Sequence, residues 1–239
     1  MTYRAYLLDI EGTTTPVDFV YQTLFPLARR ALPEYVHNSL LDPGAAATLF
    51  GDARLLVEEY EADLLASQSP PPWEDRPAPA GMLPYLLWLM DHDRKSRGLK
   101  AIQGRIWEAG YRNGSVLGAI YPDVEPAIRR WRSHGAQVFI FSSGSVLAQK
   151  LLFGHLPNGD LTSLLDGHFD TEVGSKRDAH SYTTIAERIG VPAEEILFLS
   201  DTREEIEAAQ AAKMAATLVR RDSALDPSGQ AIHTFAGVP

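Results

Sequence analysis

The stretch AYLLDIEGTTTP (residues 5–16) decides the fold. An apolar run over residues 3–8 stops at Asp9, Glu11 follows two positions on, and Gly12, three threonines and Pro16 close the segment. A short apolar run that ends at a turn signal reads as a buried strand. A strand that ends on two carboxylates and a hydroxyl cluster raises the question of what else gathers at that edge.

Working outward, the chain alternates after Gly114. The spacing predicts a helix over 123–135 closed by Gly135, a strand over 136–141 (AQVFIF), and a helix over 145–155. A short strand is expected at 168–170, a helix over 179–190, a strand over 196–200 (ILFLS), a helix over 203–214 and a last strand over 215–219. Near-continuous apolar strands alternating with helices predict a Rossmann-like α/β core, a parallel sheet covered on both faces.

Residues 18–114 break this pattern. Apolar pairs recur at helical spacing at Phe19-Val20, Leu24-Phe25, Leu55-Leu56 and again in MLPYLLWLMDHD and LKAIQGRIWEAGY. The block reads as an all-helical insertion just past the first strand. Within it, SPPPWEDRPAPAG (residues 69–81) is too proline-rich for helix or central strand and reads as a stiff linker. The expected domains are therefore an α/β core over 1–17 and 115–239 and a helical domain over 18–114.

Bulk properties bound the function. The 239 residues carry a net charge of −9, 45% apolar and 22% charged residues, and no Cys. Disulfides, thiolate metal sites and a cysteine nucleophile are excluded. With no Lys/Arg run, binding to nucleic acid or to an anionic membrane is not expected. The N-terminus runs at once into the first strand, which leaves no room for a signal peptide, and no apolar run reaches the ~18 residues of a membrane span. A cytoplasmic protein is expected. A monomer is expected too, since no long apolar helix is left over after the core.

In open parallel sheets, ligands bind beyond the carboxyl ends of the strands. Asp9, Glu11, Thr13 and Thr14 follow the first strand, Ser142, Ser143 and Gly144 the second. Lys176 precedes the helix at 179, and Asp201, Glu204 and Glu205 follow ILFLS. Together these groups suit phosphoryl transfer. A carboxylate attacks phosphorus, acids crowded at one site imply Mg²⁺, and a lysine with hydroxyls at a helix N-terminus holds phosphate oxygens. The seven His show no metal-ligand spacing, and the serine-hydrolase elbow, the P-loop and the dinucleotide fingerprint are all missing.

The order Asp9, Ser142, Lys176, Asp201 resembles the haloacid-dehalogenase-like hydrolase superfamily. More narrowly, LLDIEGTTTPVDFV, LKAIQGRIWEAGY, KRDAHSY and ILFLSDTREEIEAA resemble the enolase-phosphatase (acireductone synthase) family of methionine salvage. The likeness runs from about Tyr3 to Val219; the segment 69–81 and the tail after Arg221 add nothing to it. It implies Asp9 as nucleophile and Mg²⁺ ligand, and Glu11 as acid/base whose backbone carbonyl binds the metal. It implies Ser142, Ser143 and Lys176 as phosphate-binding groups and Asp201 as a third ligand of one Mg²⁺ per subunit. Glu205, with Glu204 as its rival, would orient a metal water, and the helical insertion would be a cap. The implied substrate is 2,3-diketo-5-methylthiopentyl-1-phosphate, enolised and then dephosphorylated. Glu11 and a cap residue both stand as the enolisation base. The alternatives are a general sugar-phosphate or phosphoglycolate-type phosphatase, a metal-free carbon–halogen hydrolase, and a non-enzymatic binder of a phosphorylated ligand.

Overall fold

The computed structural model describes residues 3–222, 224 and 229–239. The chain divides into two compact units, Met1–Val20 with Leu117–Pro239, and Tyr21–Val116. No described helix is long and apolar enough to cross a membrane.

The first unit holds a five-stranded parallel sheet: β1 (Ala5–Leu8), β2 (Gln137–Phe141), β3 (Gly167–Phe169), β4 (Ile196–Ser200) and β5 (Ala215–Leu218). Their spatial order is β3-β2-β1-β4-β5, which places β1 in the middle. Leu8 is in register with Ile140 on one side and Leu199 on the other, so the chain after all three strands emerges at one level.

Side chains alternate across the sheet. Tyr6 and Leu8 face one way and pack with Val124, Ile128 and Trp131 of α6 (Val124–Ser133) and with Leu152 and Phe153 of α7 (Val146–Gly154). Ala5 and Leu7 face the other way, against Tyr182 and Ile185 of α8 (Ala179–Ile189) and Ile206 of α9 (Arg203–Ala211). Both faces are covered, which is why the central strand β1 and its neighbours β2 and β4 are mostly apolar.

The expected strands are all present, with small differences at their ends: the first starts at Ala5, the third covers Gly167–Phe169 and the last stops at Leu218. The helix expected over 203–214 ends at Ala211, where Lys213 takes a positive φ. After β5, Val219 forms a parallel bridge with Ile232, and Phe235 and Val238 bury themselves beside Trp131. The tail that matched no family pattern therefore contributes Phe235 and Val238 to the core. Residues 223 and 225–228 of it lie outside the described residues.

Ahead of the helical unit the chain makes one short helical segment, α1 (Val17–Phe19), and a π turn at Val20–Leu24. The unit itself holds α2 (Phe25–Leu41), α3 (Pro43–Leu65), α4 (Leu83–Asp91) and α5 (Arg97–Arg112). Asp42 caps α3 by accepting from the Ala45 N–H at 2.7 Å, and Ser96 caps α5 by accepting from Leu99 at 2.9 Å.

The proline-rich segment is not a linker. Trp73 is 1% exposed, stacks on Tyr85, meets Tyr60 edge-on and donates its indole N–H to the Ala78 carbonyl at 3.1 Å. One large aromatic outweighs the surrounding composition: it is buried together with Pro70 and Pro79, while Pro72 and Pro77 stay exposed. Trp73→Ala is expected to destabilise the protein by about 3–5 kcal/mol. Urea unfolding followed by circular dichroism reads this directly.

Candidate active site

Asp9 leaves the end of β1 by donating its N–H to the Leu199 carbonyl at 3.0 Å and is 2% exposed. Its chain then doubles back: the N–H groups of Thr13, Thr14 and Thr15 all reach the Ile10 carbonyl, and Gly12 donates to Thr15. The threonine cluster serves this turn. Thr14 Oγ1 donates to the Asp9 carbonyl at 2.9 Å and Thr13 Oγ1 to Asp9 Oδ2 at 3.2 Å.

Lys176 reaches the same carboxylate from the loop before α8. Its ammonium lies 2.5 Å from Asp9 Oδ1 and 2.7 Å from Glu205 Oε2, and it is buried. The Tyr182 hydroxyl donates to the Lys176 carbonyl at 2.7 Å and fixes the loop. Burial works against the ammonium, but Asp9 and Glu205 outweigh it and hold the Lys176 pKa above its ordinary value.

The acids after β4 sort themselves. Glu205 is buried, bonded to Lys176, and accepts from the Ser200 hydroxyl at 2.8 Å, whereas Glu204 faces solvent. Successive helical residues point ~100° apart, so only one of two neighbours can face inward. Asp201 lies against the backbone of Gly12, accepts from Thr202 Oγ1 at 3.0 Å, and its carbonyl accepts from Arg220.

The phosphate-type loop forms after β2. Ser142 Oγ donates to Glu11 Oε2 at 3.3 Å and accepts from the Gly144 N–H at 3.0 Å. Ser143 occupies the half-buried position between them, before Ser145 caps α7. Gln149 braces the loop, donating to the Gly144 and Phe169 carbonyls at 2.9 and 2.8 Å.

Asp9, Glu11, Ser142, Lys176 and Asp201 thus meet at the carboxyl edge of one sheet. Asp9 and Glu205 pair with the Lys176 ammonium, and its charge also acts on Glu11 and Asp201. Burial first, then the charge of Asp9, raises the pKa of Glu11, of Asp201 and of Glu205. A dry site whose acids oppose one another's ionisation suits a divalent cation. Among the described residues no three acidic, His or Cys side chains are placed to hold a metal. The expected donor set does not need three: Asp9 and Asp201 give carboxylates and Glu11 a backbone carbonyl. Mg²⁺ ordinarily keeps several waters in its remaining positions, so the residues fit such an ion.

Gly12 is where this packing is tightest. Its φ is +71°, and a Cβ there would collide with the Asp201 carboxylate. Gly12→Ala adds about 1–2 kcal/mol of backbone strain and pushes Asp201 aside. Phosphate release is expected to fall by about 100-fold, as for a misplacement of roughly 1 Å. Steady-state kinetics on the folded variant checks it.

A family model for haloacid dehalogenase-like hydrolase matches residues 3–213. The enolase-phosphatase E1 of Synechococcus elongatus is 48% identical over 206 residues, covering 86% of this chain and 84% of its own. The chain belongs to the haloacid dehalogenase-like hydrolases, in the enolase-phosphatase E1 family. The Danio rerio enolase-phosphatase E1 is 43% identical over 91% of this chain and 85% of its own. Among solved structures, the UTR4 protein of Saccharomyces cerevisiae matches with a TM-score of 0.70 at 35% identity, covering 91% of this chain and 89% of that one. Phosphatases of this hydrolase family generally depend on a divalent metal.

Sequence reasoning missed three groups that support this family's site here: Ser200, Gln149 and Arg221. Ser200 ends a strand and Gln149 sits mid-helix, where their types signal nothing. Arg221 acts on Thr13, 208 positions away along the chain.

Proposed function

We propose that this protein is a Mg²⁺-dependent enolase-phosphatase of methionine salvage, acting on 2,3-diketo-5-methylthiopentyl-1-phosphate through an aspartyl-phosphate at Asp9. The observation that carries the reading is the buried Asp9 carboxylate, gripped at 2.5 Å by Lys176 on one oxygen and steered by Thr13 on the other. A solvated surface acid needs neither.

In this reading an Asp9 oxygen forms a bond to phosphorus as the phosphate-ester bond breaks, and Glu11 gives a proton to the departing oxygen. Glu11 suits that duty because its raised pKa lets it carry a proton in a site of carboxylates. Water then attacks the acyl-phosphate, Glu11 takes the proton back, and inorganic phosphate leaves. Ser142, Ser143 and Lys176 hold the phosphoryl oxygens. Mg²⁺, bound by Asp9, Asp201 and the Glu11 carbonyl, would neutralise phosphoryl charge and polarise the substrate carbonyl. Glu205 keeps Lys176 aligned and would orient a water of that ion.

The domain reading belongs to the same proposal, with 1–17 and 115–239 as catalytic core and 18–114 as cap, in a cytoplasmic monomer with one Mg²⁺. Glu11→Gln is expected to lower phosphate release by about 10²–10⁴-fold, the usual share of a general acid–base. If that variant keeps full enolisation, the enolisation base is a cap residue instead.

The decisive assay follows Mg²⁺-dependent phosphate release and enediol absorbance together, on the diketone phosphate and on simple sugar phosphates. Both signals should arise from the diketone phosphate and vanish with EDTA. Phosphate release from sugar phosphates without enediol formation supports a general phosphatase instead. Activity that survives chelation removes the metal from the account.

A further inference from the structure

Arg221, just beyond β5, is held on every side. Its Nε and Nη2 both donate to the Thr13 carbonyl, at 2.8 and 2.6 Å. Its Nη1 donates to Asp123 Oδ2 at 2.7 Å and, more loosely, to the His233 carbonyl at 3.4 Å. The guanidinium lies 4.3 Å from the Tyr121 ring centroid and 4.4 Å from that of Phe235. Asp123 Oδ2 also accepts from Thr234 Oγ1 at 2.9 Å and from the Phe235 N–H at 2.6 Å.

The far end of this cluster is the C-terminus. Arg130 donates to the Phe235 and Val238 carbonyls at 2.9 and 2.8 Å, and the Tyr6 hydroxyl donates to the Pro239 carbonyl. The near end is Thr13, whose hydroxyl touches Asp9 Oδ2. Tyr121 adds a second hold by donating its N–H to the Thr14 carbonyl at 2.9 Å. Turn residues have outward carbonyls that water ordinarily satisfies. Here a buried guanidinium takes one of them in a planar two-pronged grip that a lysine cannot reproduce.

We propose that Arg221 is a positioning residue for Asp9: stacked between Tyr121 and Phe235 and anchored on Asp123, it fixes the Thr13 carbonyl, and through the Thr13 hydroxyl it fixes the aim of the Asp9 carboxylate. Thr234 and Phe235, which hold Asp123 and face the guanidinium, thereby belong to the catalytic scaffold. The inference rests on Asp9 being the attacking group. It goes beyond that reading in assigning Asp123, Arg221, Thr234 and Phe235 to the setting of the attack angle.

The test uses the full-length protein with Mg²⁺ and compares Arg221→Lys, Arg221→Ala, Asp123→Asn and Val238→Ala. Arg221→Lys should lower kcat by about 10–100-fold, the effect of a small error in aim, with KM nearly unchanged. Methylguanidinium added to Arg221→Ala should restore part of kcat. Val238→Ala loosens the tail's packing without touching Arg221, so it should lower Tm and leave kcat alone. If Arg221→Lys does not fold, Asp123→Asn carries the test, because it keeps the guanidinium and frees one anchor; kcat should fall less, again at constant KM. The proposal is overturned if folded Arg221→Lys or Asp123→Asn keeps wild-type kcat. It is equally overturned if Val238→Ala loses kcat in proportion to stability. A wild-type protein that releases no phosphate overturns the proposed function instead, so the two failures are distinct.

Discussion

Asp9→Asn is expected to lower phosphate release by about 10⁴–10⁶-fold, the scale seen when a covalent nucleophile is removed. Asn keeps the volume of Asp; its Oδ1 can still accept from Lys176, which contacts Asp9 at 2.5 Å, and its amide nitrogen can donate to the Thr13 and Ser200 hydroxyls, which contact the other Asp9 oxygen at 3.2 and 3.4 Å. What it lacks is an oxygen able to form the acyl-phosphate. The variant also relieves the repulsion that raises the pKa of Glu11, Asp201 and Glu205. Its unfolding free energy should therefore stay within about 1 kcal/mol of wild type. Near-normal folding with activity lost separates the chemistry from the scaffold. Phosphate release measured beside urea unfolding of the same sample checks both.

Lys176→Met is expected to damage both activity and stability. It leaves Asp9 and Glu205 facing each other, buried, with no ammonium between them. Breaking a buried ion pair by removing one partner destabilises by about 3–5 kcal/mol. Activity should fall by about 10²–10³-fold or more, because the charge that faces the transferring phosphoryl group is gone. Adding Glu205→Gln removes one of the stranded charges. The double variant should recover part of the lost stability and none of the activity. Recovery of both would make Lys176 a structural ion-pair partner only.

The sheet was legible because its strands are buried on both faces. YLL, VFIF and ILFLS are continuous apolar runs, and each gives way at once to polar residues. Parallel geometry then obliges Asp9, Ser142 and Asp201 to share an edge, whatever their distance in the chain. Lys176 was legible by its place in that order. Which of Glu204 and Glu205 turns inward was not, since it depends on one helical step after β4. Trp73 was hidden by composition: five prolines in 69–81 outvote one tryptophan in a sequence reading, although the tryptophan sets the packing. The tail offered no periodic pattern, yet Phe235 is fully buried against Trp131 and Arg221. Long-range pairs of this kind, one arginine on one carbonyl, leave no mark on local sequence.

In the proposed reaction the Asp9 carboxylate itself bonds to phosphorus. Borohydride added during turnover reduces an acyl-phosphate to the alcohol, and peptide mass spectrometry locates the change. Homoserine is expected at position 9, formed only with both substrate and Mg²⁺ present. Reduction at Glu11 or Asp201 instead, or an unmodified Asp9 while turnover proceeds, would contradict it.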